Sequence, residues 1–149
     1  MRRATEAFRK DQWPENDAIA SVTLDFDGRY RRRHRIICGD GLPVLIDFMQ
    51  AVVLRDGDGL RLVDGGWIGV VAAPEELTEI RCDSADILSR VAWHLGNRHC
   101  AVEFDGDRLF IRRDRIIEAM LASLGTQINQ VERPFNPEGG AYAGVHSHG

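Results

Sequence analysis

The side chains of this 149-residue chain best able to hold a metal ion are five histidines and three cysteines. Two of the histidines share one short run, His94-Leu95-Gly96-Asn97-Arg98-His99. On a continuous helix, residues five apart sit roughly 140° apart around the axis and about 7.5 Å along it, so the two rings could not share an ion. A pair four apart can. Gly96 alters this expectation, because glycine readily takes the left-handed conformation that closes a helix; a turn there would present His94 and His99 from different backbone segments. His146 and His148 stand two apart, which in an extended segment puts both rings on one side, placed to chelate one ion. Judged by spacing alone, the plainer reading is ahead: His94 as an amphipathic residue on a half-buried helix and His99 as a rim residue of a strand, since such a pair is a weak signal beside a CxxC motif.

Cys38, Cys82 and Cys100 are odd in number and lack CxxC spacing, which indicates neither a disulfide framework nor a zinc knuckle. Reduced thiols are expected. Cys100 adjoins His99, but neighbouring side chains on a strand point to opposite faces, so Cys100 is assigned to the core.

The elements that must position these residues follow from periodicity. Residues 1–20 carry no sustained period and are expected to form a loose lead-in. From Ser21 onward, short β-like runs (SVTLDFD, HRIIC, PVLIDF, AVVL, LRLV, WIGVVAA) alternate with Asp-Gly and Gly-Gly turns, which makes residues 21–73 read as a small all-β domain. Arg29, Arg31, Arg32, Arg33 and Arg35 crowd around His34; a charged edge strand that discourages edge pairing accounts for them slightly better than a docking patch for an acidic partner. Asp56-Gly57-Asp58-Gly59 lacks the remaining ligands of a calcium loop and reads as a turn. Ala73-Pro74 is the boundary, because proline bars a continuing strand.

The second half predicts a strand (77–82), a helix (84–95) capped by Asp83 or Ser84, a hairpin (100–104 and 109–112), a helix (115–124) capped by Asp114 and stopped at Gly125, and a strand (126–131). That order is βαββαβ, the ferredoxin-like split unit. The predicted class is therefore α+β: an N-terminal all-β domain over 1–73, a ferredoxin-like domain over 74–141 and a mobile histidine-bearing tail over 142–149.

Composition excludes several functions. A net charge of −4 argues against broad binding to nucleic acid or an anionic membrane. No stretch has the length of a signal-peptide core or a spanning helix, so a cytoplasmic location is expected.

The runs AWHLGNRH (92–99), DRLFIRRD (107–114), IIEAMLASLG (116–125) and VERPFNPEGGAY (131–142) resemble the UreE family of urease accessory nickel metallochaperones. Upstream, RRRHR (31–35), VLRDGDGLRL (53–62) and AAPEELTEI (72–80) fit the same family, so the resemblance covers nearly the whole chain. It implies a non-enzyme that binds Ni²⁺ at a homodimer interface and passes it to apo-urease with the help of an accessory GTPase. It assigns the interface ligand to the second histidine of HLGNRH, His99, and favours metal capture by His146 and His148, with His94 as a lesser candidate. One departure is clear: where some relatives carry an HxH or similar pair on the hairpin's second strand, this chain has Arg113-Asp114-Arg115, and guanidinium has no lone pair to donate. Imidazole alone does not select nickel, so Zn²⁺ or Cu²⁺ can compete.

Three rival readings are weighed. An RNA-recognition module shares βαββαβ, but only Phe104 and Phe110 stand on its strands. A metal hydrolase would need a general base, for which Glu103, Asp105 and Asp107 are available. The more serious rival is a metal-independent peptide-binding chaperone that accepts client segments on the β domain by strand addition.

Overall fold

Asp- and Gly-rich turns between apolar runs fold the first half of the chain into one six-stranded sheet. In the computed structural model, which describes residues 1–139, the chain divides into two units, Met1–Ala73 and a second that begins at Pro74. The first contains β1 (Arg2–Phe8), β2 (Ala18–Leu24), a single turn α1 (Phe26–Arg29), β3 (Tyr30–Ile37), β4 (Pro43–Val53), β5 (Gly59–Leu62) and β6 (Trp67–Ala72). The strands lie in the order β2-β6-β5-β1-β4-β3. Val22, Ile36, Val44, Ile46, Phe48, Leu60, Leu62, Ile68 and Val70 form its core. Gly57, Gly65 and Gly66 supply the positive φ of the turns on either side of β5.

Residues 1–20 are not a loose lead-in. β1 is a central strand, parallel to β4 and antiparallel to β5. Its sequence, RRATEAF, buries only Ala4 completely, so its strand state comes from its neighbours and not from a visible alternation. Trp13 then pins the connection to β2: its ring stacks on Trp67 at 5.5 Å and its indole N–H donates to the Gly57 carbonyl at 3.0 Å. The runs PVLIDF and AVVL are one strand, β4, and the run SVTLDFD ends as a strand at Leu24, where Asp25 caps α1 by accepting from the Gly28 N–H.

The basic cluster also divides. β3 is an edge strand with Arg31, Arg32, Arg33 and Arg35 exposed. Arg29 is fully buried, lies over the Phe26 ring, and donates to the Leu24 and Leu54 carbonyls.

The second unit holds β7 (Glu75–Arg81), α2 (Ala85–Asn97), β8 (Glu103–Asp105), β9 (Arg108–Arg112), α3 (Arg115–Ser123) and β10 (Gln127–Arg133). Its sheet order is β10-β7-β9-β8 with every neighbouring pair antiparallel, the ferredoxin-like arrangement of a βαββαβ chain. Ser84 caps α2 through the Ile87 N–H, and Asp114 caps α3 through the Ile116 and Ile117 N–H groups. Ile80, Leu109 and Ile111 on one face of the sheet meet Val91 and Leu95 of α2 and Leu121 of α3. The hairpin is shorter than its apolar run: Cys100, Ala101 and Val102 precede β8 instead of belonging to it.

A Cβ at Gly59 would stand only 2.3 Å from the Trp13 ring. Gly59→Ala is therefore expected to push Trp13 off Trp67 and to cost about 1–3 kcal/mol, read by urea unfolding followed through tryptophan fluorescence. An unchanged midpoint would contradict this account of the N-terminal anchor.

Candidate functional site

The run that carries His94 and His99 is the end of α2. Leu95 is fully buried and holds that end against the sheet. Its carbonyl accepts the N–H of Arg98 at 3.2 Å and of Cys100 at 3.0 Å, while the Gly96 carbonyl accepts the His99 N–H at 3.0 Å. A six-to-one bond enclosing a five-to-two bond is a Schellman ending, which requires a left-handed residue at the first position beyond the cap. That residue is His99, with φ 54°.

This corrects the expectation for Gly96, which remains inside the helix. The bond pattern, anchored at Leu95, places the left-handed residue three positions later than the glycine. The available signal was weak: histidine, asparagine and aspartate enter the left-handed region several-fold more often than other non-glycine residues. The consequence for the site is direct. His99 sits on the outer side of a chain reversal, exposed, with its backbone fixed by two nested hydrogen bonds.

His94 lies inside α2, five residues before His99, and is half-buried; its ring stands edge-on to Trp93 at 5.0 Å and 82°. Trp93 itself is 64% exposed on the outer face of α2. The two histidines do not form a cluster with other donors: among the described residues no group of three or more His, Cys, Asp or Glu side chains is placed to hold a metal ion.

Cys100 is the residue after the left-handed turn, not a strand residue, yet it packs against the core as expected. Burial first, then the Asp114 carboxylate, pushes its thiol above the ordinary range, and burial does the same for Cys82 and Cys38. His34 is held below the ordinary histidine range, chiefly by burial and then by Arg31.

Two of the three carboxylates considered as general bases, Glu103 and Asp105, are committed elsewhere. Glu103 is buried and accepts from Arg133 at 2.9 Å and from the Asn136 N–H at 2.8 Å; Asp105 pairs with Arg108 at 2.8 Å. Phe110 is buried with the Arg133 guanidinium 4.0 Å above its ring, so it offers no face for stacking a base.

The segment after β10 has no regular structure, but it is not loose. Phe135 is fully buried with the Arg112 guanidinium over its ring, and the Glu138 N–H donates to the Val102 carbonyl at 2.7 Å. The chain thus returns to the loop that begins at His99, a return that sequence reasoning missed because Phe135 lies isolated between two prolines. His146 and His148 lie outside the described residues.

Comparison with known proteins fits both units. Residues 2–73 match the family model of the UreE urease accessory protein N-terminal domain, and residues 75–149 match that of its C-terminal domain. The chain is 48% identical over 144 residues to the urease accessory protein UreE of Beijerinckia indica, covering 97% of this chain and 83% of that protein. It is 49% identical over 150 residues to the one of Bradyrhizobium sp. strain ORS 278, covering 100% and 71%, and 43% identical over 148 residues to the one of Brucella anthropi, covering 99% and 87%. The chain belongs to the UreE urease accessory protein family. No helix among the described residues is long and apolar enough to cross a membrane.

A left-handed imidazole-bearing residue is strained where glycine is not. His99→Gly is expected to raise stability by about 1 kcal/mol while His99→Ala leaves it within about 0.5 kcal/mol, measured by urea unfolding of each apo protein. A destabilised His99→Gly would mean that the imidazole itself holds the turn together.

Proposed function

We propose that this protein is a nickel carrier: it holds Ni²⁺ at a homodimer interface and releases it for assembly of the urease active site. The observation that carries the reading is the exposed His99 on a left-handed turn, its backbone fixed while its ring stays available. Membership of a urease accessory family supports it.

One imidazole holds a divalent ion weakly, and the described part of a single chain adds no cluster around it. A two-fold axis beside His99 would double the donors, because an isologous interface brings the same residue of both copies together. Trp93, exposed on the last turns of α2, offers the kind of aromatic surface enriched at such interfaces. The Glu138–Val102 bond favours a role for the tail. His146 is eight residues beyond Glu138, a reach of up to about 28 Å, and Val102 lies within about 11 Å of His99 along the chain. His146 and His148 can therefore reach the same ion, with His94 as a peripheral candidate.

A carrier must also let go, and exposed imidazoles form no closed cage. In this reading the protein is a cytoplasmic non-enzyme, its cargo is Ni²⁺ with Zn²⁺ or Cu²⁺ able to compete, and its partners are an accessory GTPase and apo-urease. Residues 74–141 supply the metal-binding and dimerisation domain, and residues 1–73 the peptide- or partner-binding one.

Titration calorimetry with Ni²⁺, run beside light scattering, tests this. His99→Ala is expected to weaken the tightest site at least tenfold, about 1.4 kcal/mol, and to leave the apo dimer intact; His94→Ala should do less. Removing residues 142–149 should lower affinity or stoichiometry without unfolding the protein. Full-strength binding in His99→Ala, or loss of the apo dimer, would overturn the assignment. A wild-type protein that binds no Ni²⁺ would favour a metal-independent peptide chaperone instead.

A further inference from the structure

Three arginines converge beside the turn that presents His99. Arg98 is the cap residue of α2, Arg112 ends β9 and Arg113 follows it. They line an open cavity of about 290 Å³ that lies within the second unit. Cys100, Ala101 and Ile117 line it too, and Cys100 and Ile117 are packed against the core. The cavity is therefore apolar on one side and cationic on the other, in a chain whose net charge is −4.

Elsewhere in this unit the arginines meet carboxylates: Arg81 and Arg108 on Glu79, Arg90 on Asp86 and Arg133 on Glu103. Around the cavity the pairing is incomplete. Arg112 stands 3.8 Å from Glu75 with its guanidinium over the Phe135 ring, which fixes its place. Arg98 donates to the His94 carbonyl at 3.3 Å, a partner without charge. Among the described residues neither Arg98 nor Arg113 pairs with a carboxylate, and both are exposed. Asp114 also lines the cavity, but one of its oxygens accepts the Ile116 and Ile117 N–H groups, both at 3.0 Å. Those two N–H groups of α3 are thus already taken, and the positive charge of the cavity comes from side chains. Like charges around one cavity repel, and an anion placed between them turns that repulsion into attraction.

We propose that this cavity binds a small organic polyanion, a di- or tricarboxylate or a phosphate ester, held by Arg98, Arg112 and Arg113. Guanidinium groups bond carboxylate and phosphate oxygens in pairs, and three of them suit a ligand with more than one anionic group. The apolar wall of Cys100, Ala101 and Ile117 faces its carbon skeleton. The volume lies at the lower end of ligand pockets, about 300 Å³, which fits a molecule smaller than a nucleotide. Arg98 and Cys100 flank His99 in the chain, so the bound polyanion lies beside the proposed nickel ligand. The inference concerns the metal-free chain and stands whether or not His99 binds nickel.

The test uses the full chain, freed of metal on a chelating resin, in calorimetric titrations at constant ionic strength with citrate, glycerol 3-phosphate and acetate. Saturable binding of citrate or of glycerol 3-phosphate is expected at one per chain, the tighter of the two identifying the anionic group, with acetate at least tenfold weaker. Arg113→Gln and Arg98→Gln should each weaken the polyanion at least tenfold. Arg115→Gln, next in the chain to the lining residue Asp114 but not itself lining the cavity, should bind as the wild type does, and circular dichroism should be unchanged in all three. A second readout locates the ligand: at saturation it should slow alkylation of Cys100 by uncharged iodoacetamide and leave Cys82 unaffected, followed by peptide mass. No saturable binding of either polyanion up to millimolar concentration, equal binding by Arg113→Gln, or alkylation of Cys100 at an unchanged rate in the saturated protein would each overturn the proposal.

Discussion

A helix that ends must find partners for its last carbonyl groups, and much of the candidate site depends on how α2 meets that requirement. Leu95 is the fixed point. Its side chain is buried in the core of the second unit, and its carbonyl accepts two N–H groups that fold the chain back on itself. Given those bonds, the next residue but three must be left-handed, and the chain places a histidine where glycine would be easier. Strain of this size persists because the core on one side and β8 on the other leave the backbone little choice. The same turn carries His99 outward and returns Cys100 to the core.

The sheet of the second unit has two faces with different tasks. One is apolar and lies beneath α2 and α3. The other is a lattice of charges: Glu79 accepts from Arg81, Arg108 and Asn129, Glu103 from Arg133, and Arg108 and Arg133 flank the Phe110 ring. The guanidinium groups, with desolvation opposing them, keep the Glu79 carboxyl below the usual range. Carboxylates paired with guanidinium groups in this way hold the charged face of the sheet together.

Most of the second unit was legible in the sequence because its signals are local. Ser84, Asp114 and Gly125 mark helix ends, and the apolar faces of both helices repeat at helical spacing. β1 was not legible, since RRATEAF becomes a strand only through β4 and β5, which lie far along the chain. The burial of Arg29 was hidden for a similar reason: in a run of arginines nothing local separates the one whose donors meet the Leu24 and Leu54 carbonyls. At the site, the choice of histidines rested on family resemblance. The turn that presents His99 was misplaced by three residues because a glycine is a louder signal than the bond pattern that selects the left-handed position.

The central claim is that His99 donates an imidazole nitrogen to a bound nickel ion while the thiols stay out of its coordination. X-ray absorption of the nickel-loaded protein at neutral pH reads the donor atoms directly. The account predicts a first shell of nitrogen and oxygen only, with the outer-shell scattering of imidazole rings reduced in His99→Ala. A sulfur donor in the first shell, or an imidazole signal that survives His99→Ala undiminished, would contradict it.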